Sequence, residues 1–505
     1  LLVYDNKMIS EYNGDVITIP GNEYTINGTY MCCLNIYVYS GSILRQDSKC
    51  INVIYTHKLY PKIQILPLEK AKYNTNEKIT LISNSMSYVD EPLSYLWTSL
   101  NHNIKRDEIN TEINSHNLVI KPNVLTPGRI YTFVLYGKDS IGEGTSQIEL
   151  EINTPPQGGN FIVTPTVGMA MNTSFTLMLY GWTDDADDLP LLYNFASDNN
   201  GIEYLNIPND KSKSIFRLEE SVNASTILYG YIQDVHRGIT NITKTVLVLP
   251  YMKEINVIRD EVYTQINDYI DTGDHMSVIS TMNTFMSVIK KRISDPVGDV
   301  NTMESVFLMD QIDSIKWDLY KTLLVCSTSL NNNEDIFIRL NTLYNLLGIR
   351  IYRNEIYMDT VLEFIYNSTL IDLEYNTLSK TLDIIDVLST YNNFTNSSKT
   401  VVDVVMERIV NNMVKYNIPN EDPVLMDSNG INLFVQKKTA DSLSNVSISG
   451  NTTIDIPNDL DLNNTVVNLD LRNNKNNPYS TMTDDIVLSD ILSFSIKDAH
   501  GNKIP

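Results

Sequence analysis

The residues whose types and spacing invite chemistry are the carboxylates of Trp182-Thr183-Asp184-Asp185-Ala186-Asp187-Asp188-Leu189-Pro190, which follow the apolar alternation Phe175 to Tyr180. Asp184, Asp185, Asp187 and Asp188 crowd one turn. Like charges held that close are tolerated by spreading into water or by gathering round a cation. Several hard oxygens at one spot suit calcium, so Ca2+ is the cofactor this turn would hold; the alternative is a solvated acidic turn with a capping role. Asp234 closes the strand-like run Ile227 to Ile232 and precedes a hairpin, so it is expected at the same pole of its module. An ion there would brace the junction with the module before it.

Little else offers a reaction. His57, His102, His116, His236, His275 and His500 are far apart in sequence, and none lies at metal-ligand spacing from a cysteine or another histidine. There is no glycine-rich phosphate loop and no Gly-x-Ser-x-Gly elbow, so no catalytic centre is expected. Cys32, Cys33 and Cys50 share one hairpin-like stretch. Adjacent residues of a strand point to opposite faces, so only one of Cys32 and Cys33 can meet Cys50 across the ladder. Cys33 with Cys50 is the expected disulfide and Cys32 with Cys50 the alternative; Cys326, in a helical pattern, reads as a buried thiol.

Charge narrows the partners. The 505 residues carry 61 acidic against 38 basic side chains, a formal net charge of −23, and the basic ones form no stripe. Nucleic acid is therefore excluded as an expected partner. No apolar run approaches the roughly 18 residues of a spanning helix, which leaves open a membrane anchor beyond the two ends. Asn-x-Ser/Thr sequons stand at Asn27, Asn172, Asn223, Asn241, Asn367, Asn393, Asn396, Asn445, Asn451 and Asn463. About eight would arise by chance in so asparagine-rich a chain; they are compatible with a secreted glycoprotein.

The elements that must position these residues change period along the chain. Up to about residue 250, short alternating runs broken by Gly, Pro, Asn and Asp indicate immunoglobulin-like sandwiches. A partial module is expected over 1–60, a second over 61–153 and a third over 154–250. In the second, Tyr131 after Pro127-Gly128 has the setting of a tyrosine corner, and Tyr30 after Gly28 repeats it in the first. Trp97 in Tyr95-Leu96-Trp97 fits a buried core tryptophan. Over 251–415 the spacing turns helical, with Ile279, Met282, Met286 and Ile289 on one face and Met309, Ile312, Ile315, Leu319 and Leu323 on another. Five to seven helices are expected, with Asp274 capping one of them. Strand patterns return over 416–505, in Ile431 to Val435, Thr465 to Leu469 and Ile491 to Ile496.

One ordered series resembles a known family. Pro155-Pro156-Gln157-Gly158-Gly159, Val163-Thr164-Pro165, Gly168-Met169-Ala170, Gly181-Trp182-Thr183-Asp184, Leu189-Pro190-Leu191 and Tyr193-Asn194-Phe195 resemble the receptor-for-egg-jelly (REJ) region of polycystin-1-like proteins. Tyr95-Leu96-Trp97 with Gly137-Lys138-Asp139-Ser140-Ile141-Gly142 is similar to the PKD and immunoglobulin-like repeats that accompany it. The helical region, with Asn477-Pro478-Tyr479 and Ile491 to Ile504, resembles the two halves of a GAIN domain, without that family's terminal cleavage motif. The resemblance implies a multidomain chain, all-β sandwiches then helices then a small β-sandwich. It implies the extracellular side of a plasma or ciliary membrane, a non-enzymatic receptor serving adhesion, mechanical coupling or complex assembly, an extracellular ligand, and a polycystin-2-like channel or other cell-surface protein as partner. A structural component of a ciliary or cell-surface filament built from the same modules is the alternative.

Overall fold

The computed structural model describes the backbone of residues 2–4, 7–10, 29–40 and 43–54 and, from residue 59 onward, all but 90, 199–201, 222–224, 295–302, 327–331, 349–354, 391–395, 440–442, 444–445, 449–451, 455–465, 475–490, 499–503 and 505. Sandwich strands come first, then a helical layer, then a last sheet. The first module is a four-stranded sheet ordered Lys7–Ser10, Leu2–Tyr4, Thr29–Ser40, Ile43–Ile54. Its long hairpin sets Cys33 directly opposite Cys50 and Cys32 opposite Ile51. The side chains of these cysteines, and of Tyr30, lie outside the described residues, so the bridge stands as a proposal.

In the second module, Ile130–Lys138 is paired on one side with Glu143–Glu151 and on the other with Ser94–Ser99. Two short pairs, Lys62–Ile65 with Ser83–Met86 and Ile79–Leu81 with Leu118–Ile120, accompany it. Alternating inward residues build a core around Trp97, Phe133, Leu135, Leu118 and Leu150. Trp97 is completely buried and its Nε1–H donates to the Ser115 carbonyl at 3.0 Å, so a large apolar surface is hidden without stranding a polar atom. Tyr131 forms the expected corner: its hydroxyl accepts the Thr126 backbone N–H at 3.0 Å. The turn between them holds Gly128 at φ +69°, in the left-handed region open to glycine.

The third module stacks a three-stranded sheet, Asn160–Thr164, Ser174–Tyr180 and Lys213–Arg217, on a five-stranded one ordered Val167–Met169, Ile239–Leu249, Thr226–Gln233, Leu192–Asp198, Ile202–Tyr204. The first pair of the larger sheet is parallel and the rest antiparallel. The helices follow as α1 Ile255–Asp271, α2 His275–Ser294, α3 Met303–Val325, α4 Asn333–Leu347, α5 Glu355–Ser368, α6 Tyr375–Ser389 and α7 Asn396–Lys415. Their buried residues step by three and four, as in Ile255, Ile258, Val262 and Ile266 of α1.

The hinge between α1 and α2 is written locally. Gly273 at φ +71° lets its N–H reach the Ile270 carbonyl and the Asp274 N–H reach Tyr269, closing α1 in a Schellman turn. Asp274 then accepts the Ser277 N–H at 3.1 Å and starts α2, the cap expected from the sequence. The span Val361 to Leu388 is divided between α5 and α6, with residues 369–374 between them. The final sheet is ordered Val424–Asp427, Ile431–Thr439, Val466–Asn474, Ile491–Lys497, with a separate hairpin Val446–Ile448/Thr452–Ile454.

One hydrophobic core runs without interruption from Phe161 and Phe195 of the third module, through Ile258, Met282 and Leu343 of the helices, to Leu433 and Val435 of the last sheet. The chain also folds back on itself. Lys78 of the second module donates to both oxygens of buried Glu421 at 2.9 and 3.1 Å, and the Asp422 N–H bonds the Asn110 carbonyl at 2.7 Å. Cys326 is a buried free thiol. Among the described residues no helix is long and apolar enough to cross a membrane.

A polar contact between the third module and the helices carries a pH dependence. Glu203 accepts from Asn345 Nδ2 at 2.7 Å, while Glu219 and Lys290 contribute the neighbouring charges. Burial first, then the Glu219 charge, pushes Glu203 up to about 7 from 4.5, against the opposing pull of Lys290 and Asn345. The folded chain then binds a proton that the unfolded chain releases between those values, so stability falls as pH rises from 4.5 to about 7 and levels off above. Denaturant titrations at pH 4–8 are expected to show this slope in the wild type and its loss in Glu203→Gln; equal slopes in both would remove Glu203 as the cause.

Candidate functional site

The acidic turn is positioned by two neighbouring loops of the third module. Strand Ser174–Tyr180 leaves through Gly181 at φ +74° into a short 3-10 turn, Ala186–Asp188, which buries Asp188 completely. Strand Thr226–Gln233 ends in Asp234-Val235-His236-Arg237-Gly238. Here Asp234 Oδ1 accepts the backbone N–H of His236 and of Gly238, both at 2.8 Å, so the carboxylate shapes its own turn. The Val235 N–H donates to the Asp188 carbonyl at 3.2 Å and fastens one loop to the other.

Asp184, Asp188 and Asp234 thereby converge, each offering an oxygen within 4.8 Å of the others. Asp185 and Asp187 do not join them and lie exposed. Only Asp188 of the 3-10 turn faces inward, while Asp185 before the turn and Asp187 within it stay at the surface, a division that the crowding of aspartates in sequence does not reveal.

The second module closes the site. Lys72 Nζ reaches both Asp188 oxygens at 2.7 and 2.9 Å. His236 Nε2 stands 3.4 Å from the same carboxylate. Asn153, at the end of the module's last strand, donates its Nδ2 to Asp234 Oδ2 at 2.6 Å and to Asn74 Oδ1 at 2.9 Å. Asn74 in turn donates to the His236 carbonyl at 2.7 Å. Gly238 makes room for this knot, since a β-carbon there would stand 2.3 Å from Asn153 Nδ2 and 2.4 Å from Asp234 Oδ2.

Charge balance is incomplete. Lys72 serves Asp188, and its own pKa is raised by that hydrogen bond against the cost of burial. Asp184 Oδ1 accepts the Asp185 N–H, but Oδ2 is buried with no partner, and so is Asn153 Oδ1. Burial, reinforced by the charges of Asp234, Asp188 and Asp185, raises the Asp184 pKa. Two oxygens up to about 4.8 Å apart can share one ion at the ~2.4 Å calcium–oxygen distance, and each pair of the three carboxylates offers oxygens within that reach.

Lys72, Asn74, Asn153, His236 and Gly238 were not legible as site residues. The lone signal is the Asp-x-x-x-Gly spacing of Asp234 and Gly238, a turn pattern with no stated destination. Of the sequon asparagines, Asn172, Asn241 and Asn367 are exposed. The side chains of the other sequon asparagines lie outside the described residues.

The stacked sheets of the third module, with the buried core tryptophan and tyrosine corner of the second, define a tandem of immunoglobulin-like sandwiches, here running into a helical layer and a final sheet. The REJ domain model matches residues 4–284, more than half of the chain, and the chain belongs to that family, that of polycystin-1-like proteins. Among solved structures, titin domains A168-A170 are 12% identical, with a TM-score of 0.23, over 44% of this chain and 75% of that one. The N-terminal eight Ig domains of DSCAM are 14% identical, with a TM-score of 0.22, over 50% of this chain and 32% of that one. Drosophila OTK extracellular domains 3-5 are 10% identical, with a TM-score of 0.20, over 46% and 74%. Scores this low add nothing to the topology itself. No curated protein matches the chain.

Two substitutions probe the knot in metal-free buffer. Asn153→Leu, which withdraws the amide from Asp234 and Asn74, is expected to cost about 2–3 kcal/mol in denaturant unfolding. Asp184→Asn is expected to raise stability by removing one of three crowded carboxylates. A destabilised Asp184→Asn would show that Lys72 and His236 already balance the cluster.

Proposed function

We propose that this chain is an extracellular, non-enzymatic segment of a polycystin-1-like surface receptor, in which a divalent cation, calcium by its chemistry, locks the second module onto the third. Membership of the REJ family supports the receptor reading and its extracellular side. The observation that carries the lock is the junctional knot: carboxylates of the third module converge beneath Lys72, Asn74 and Asn153 of the second, with one buried carboxylate oxygen left unpartnered.

In this reading Asp184, Asp188 and Asp234 hold the ion and Lys72 swings away from Asp188 when it binds. No bond is made or broken in a substrate. A stiff junction transmits tension from one sandwich to the next and holds their faces in register, which suits adhesion, mechanical coupling or complex assembly on a cell or ciliary surface. A polycystin-2-like channel is the partner implied by family, and its attachment would use membrane-proximal parts of the receptor.

Calorimetric titration of the chain with calcium is expected to show one saturable site and a raised thermal midpoint, both lost in Asp184→Asn, so that the stability order of the two proteins reverses on adding the ion. Lys72→Met is expected to tighten binding by removing the competing charge. An unchanged midpoint on adding calcium and then chelator would refute the lock while leaving the family assignment intact.

A further inference from the structure

The third module meets α4 and α6 across a cavity of about 250 Å³ whose lining includes Asn194, Tyr204, Tyr231, Gln233, Glu334 and Phe337. We propose that this cavity receives a guanidinium or ammonium side chain presented by a basic segment of a partner protein.

Three rings form one wall. Tyr204 meets Tyr231 with centroids 5.8 Å apart and Phe337 edge-on at 6.1 Å. Aromatic faces attract a cation through their quadrupole, and the more so where water is excluded. Opposite chemistry comes from the helix starts. Glu334 is the second residue of α4, where a carboxylate is favoured by the helix dipole, and Glu374 is the residue before α6.

The two carboxylates are not equally engaged. Glu374 is paired with Arg237 Nη1 at 2.9 Å. Among the described residues no hydrogen-bond donor meets the Glu334 carboxylate. Burial raises its pKa, Arg237 pulls it back and Glu374 pushes it further, so the cavity contains a part-buried acid with only indirect compensation. It lines the cavity together with Tyr204, Tyr231 and Phe337.

A half-buried carboxylate beside ring faces is matched by a cation that is itself part apolar, which describes arginine and lysine side chains. The Asn194 and Gln233 amides supply further acceptors that a guanidinium fork can use. An anion would face Glu334 and Glu374 directly. A neutral sugar could use the rings and amides but has no need of the Glu334 charge. At a formal −23 the chain also steers basic segments toward itself.

The test uses the full chain and three probes followed by NMR titration: N-acetyl-arginine amide, its uncharged isostere N-acetyl-citrulline amide, and N-acetylglucosamine. The arginine probe is expected to bind saturably, with shifts in Tyr204, Tyr231 and Phe337. Affinity should fall about tenfold in Glu334→Gln and with rising salt, and citrulline should bind at least about tenfold more weakly. Asn376→Asp adds a carboxylate at the first turn of α6, in the cavity lining, and is expected to tighten arginine binding. It keeps the test open if Glu334→Gln does not fold. Equal binding of citrulline, preference for the sugar, indifference to both substitutions, or no saturation by the arginine probe would each overturn the proposal.

Discussion

The architecture turns on one electrostatic constraint. Asp184, Asp188 and Asp234 bring carboxylate oxygens within 4.8 Å of one another at a place where Asp188 and Asp234 are almost wholly shielded from water. Such charges cannot be left uncompensated in a desolvated site, because mutual repulsion and lost hydration both act against them. The molecule answers with groups from the neighbouring module. Lys72 takes Asp188, Asn153 and the turn amides take Asp234, and the Asn74 amide holds the turn itself. The two sandwiches are thus joined by the need to balance charge, and their relative placement follows from where those partners stand. Asp184 Oδ2 is the group this arrangement leaves over.

The other junctions obey different physics. From the third module onward one apolar core is continuous through the helices into the last sheet, so those parts support one another by burial. Within that apolar continuity, polar groups such as Glu203, Asn345 and Lys290 fix which strand end meets which helix. The return contact of Lys78 with Glu421 ties the second module to the base of the final sheet. A load applied along the chain would meet a polar, ion-paired joint between the second and third modules and an apolar one after it.

Local patterns were readable in sequence. Trp97 is core, Tyr131 caps its turn, Asp274 starts α2, and Ile279, Met282, Met286 and Ile289 are all buried on one helix face. Each of these outcomes depends on neighbours within a few residues or on a simple period. The site was half legible: the aspartates stood out and Asp234 was expected at the same pole, yet the exposure of Asp185 and Asp187 depended on a 3-10 turn. The partners were invisible, since Lys72 lies 116 residues from Asp188 and Asn153 lies 81 from Asp234. Likewise Glu203 and Asn345 become a pair only when strand and helix meet, 142 residues apart. Periodicity speaks for burial and is silent about which polar groups tertiary packing will bring together.

Hydrogen–deuterium exchange of the whole chain, with calcium and then with chelator, tests the junctional lock most directly. The account predicts that residues 72–77 and 151–153 of the second module and residues 184–188 and 234–238 of the third gain protection together when calcium is present and lose it together when the ion is removed, while the Trp97 and Phe195 cores stay unchanged. Exchange that responds only in residues 184–188, or in none of these segments, would contradict it.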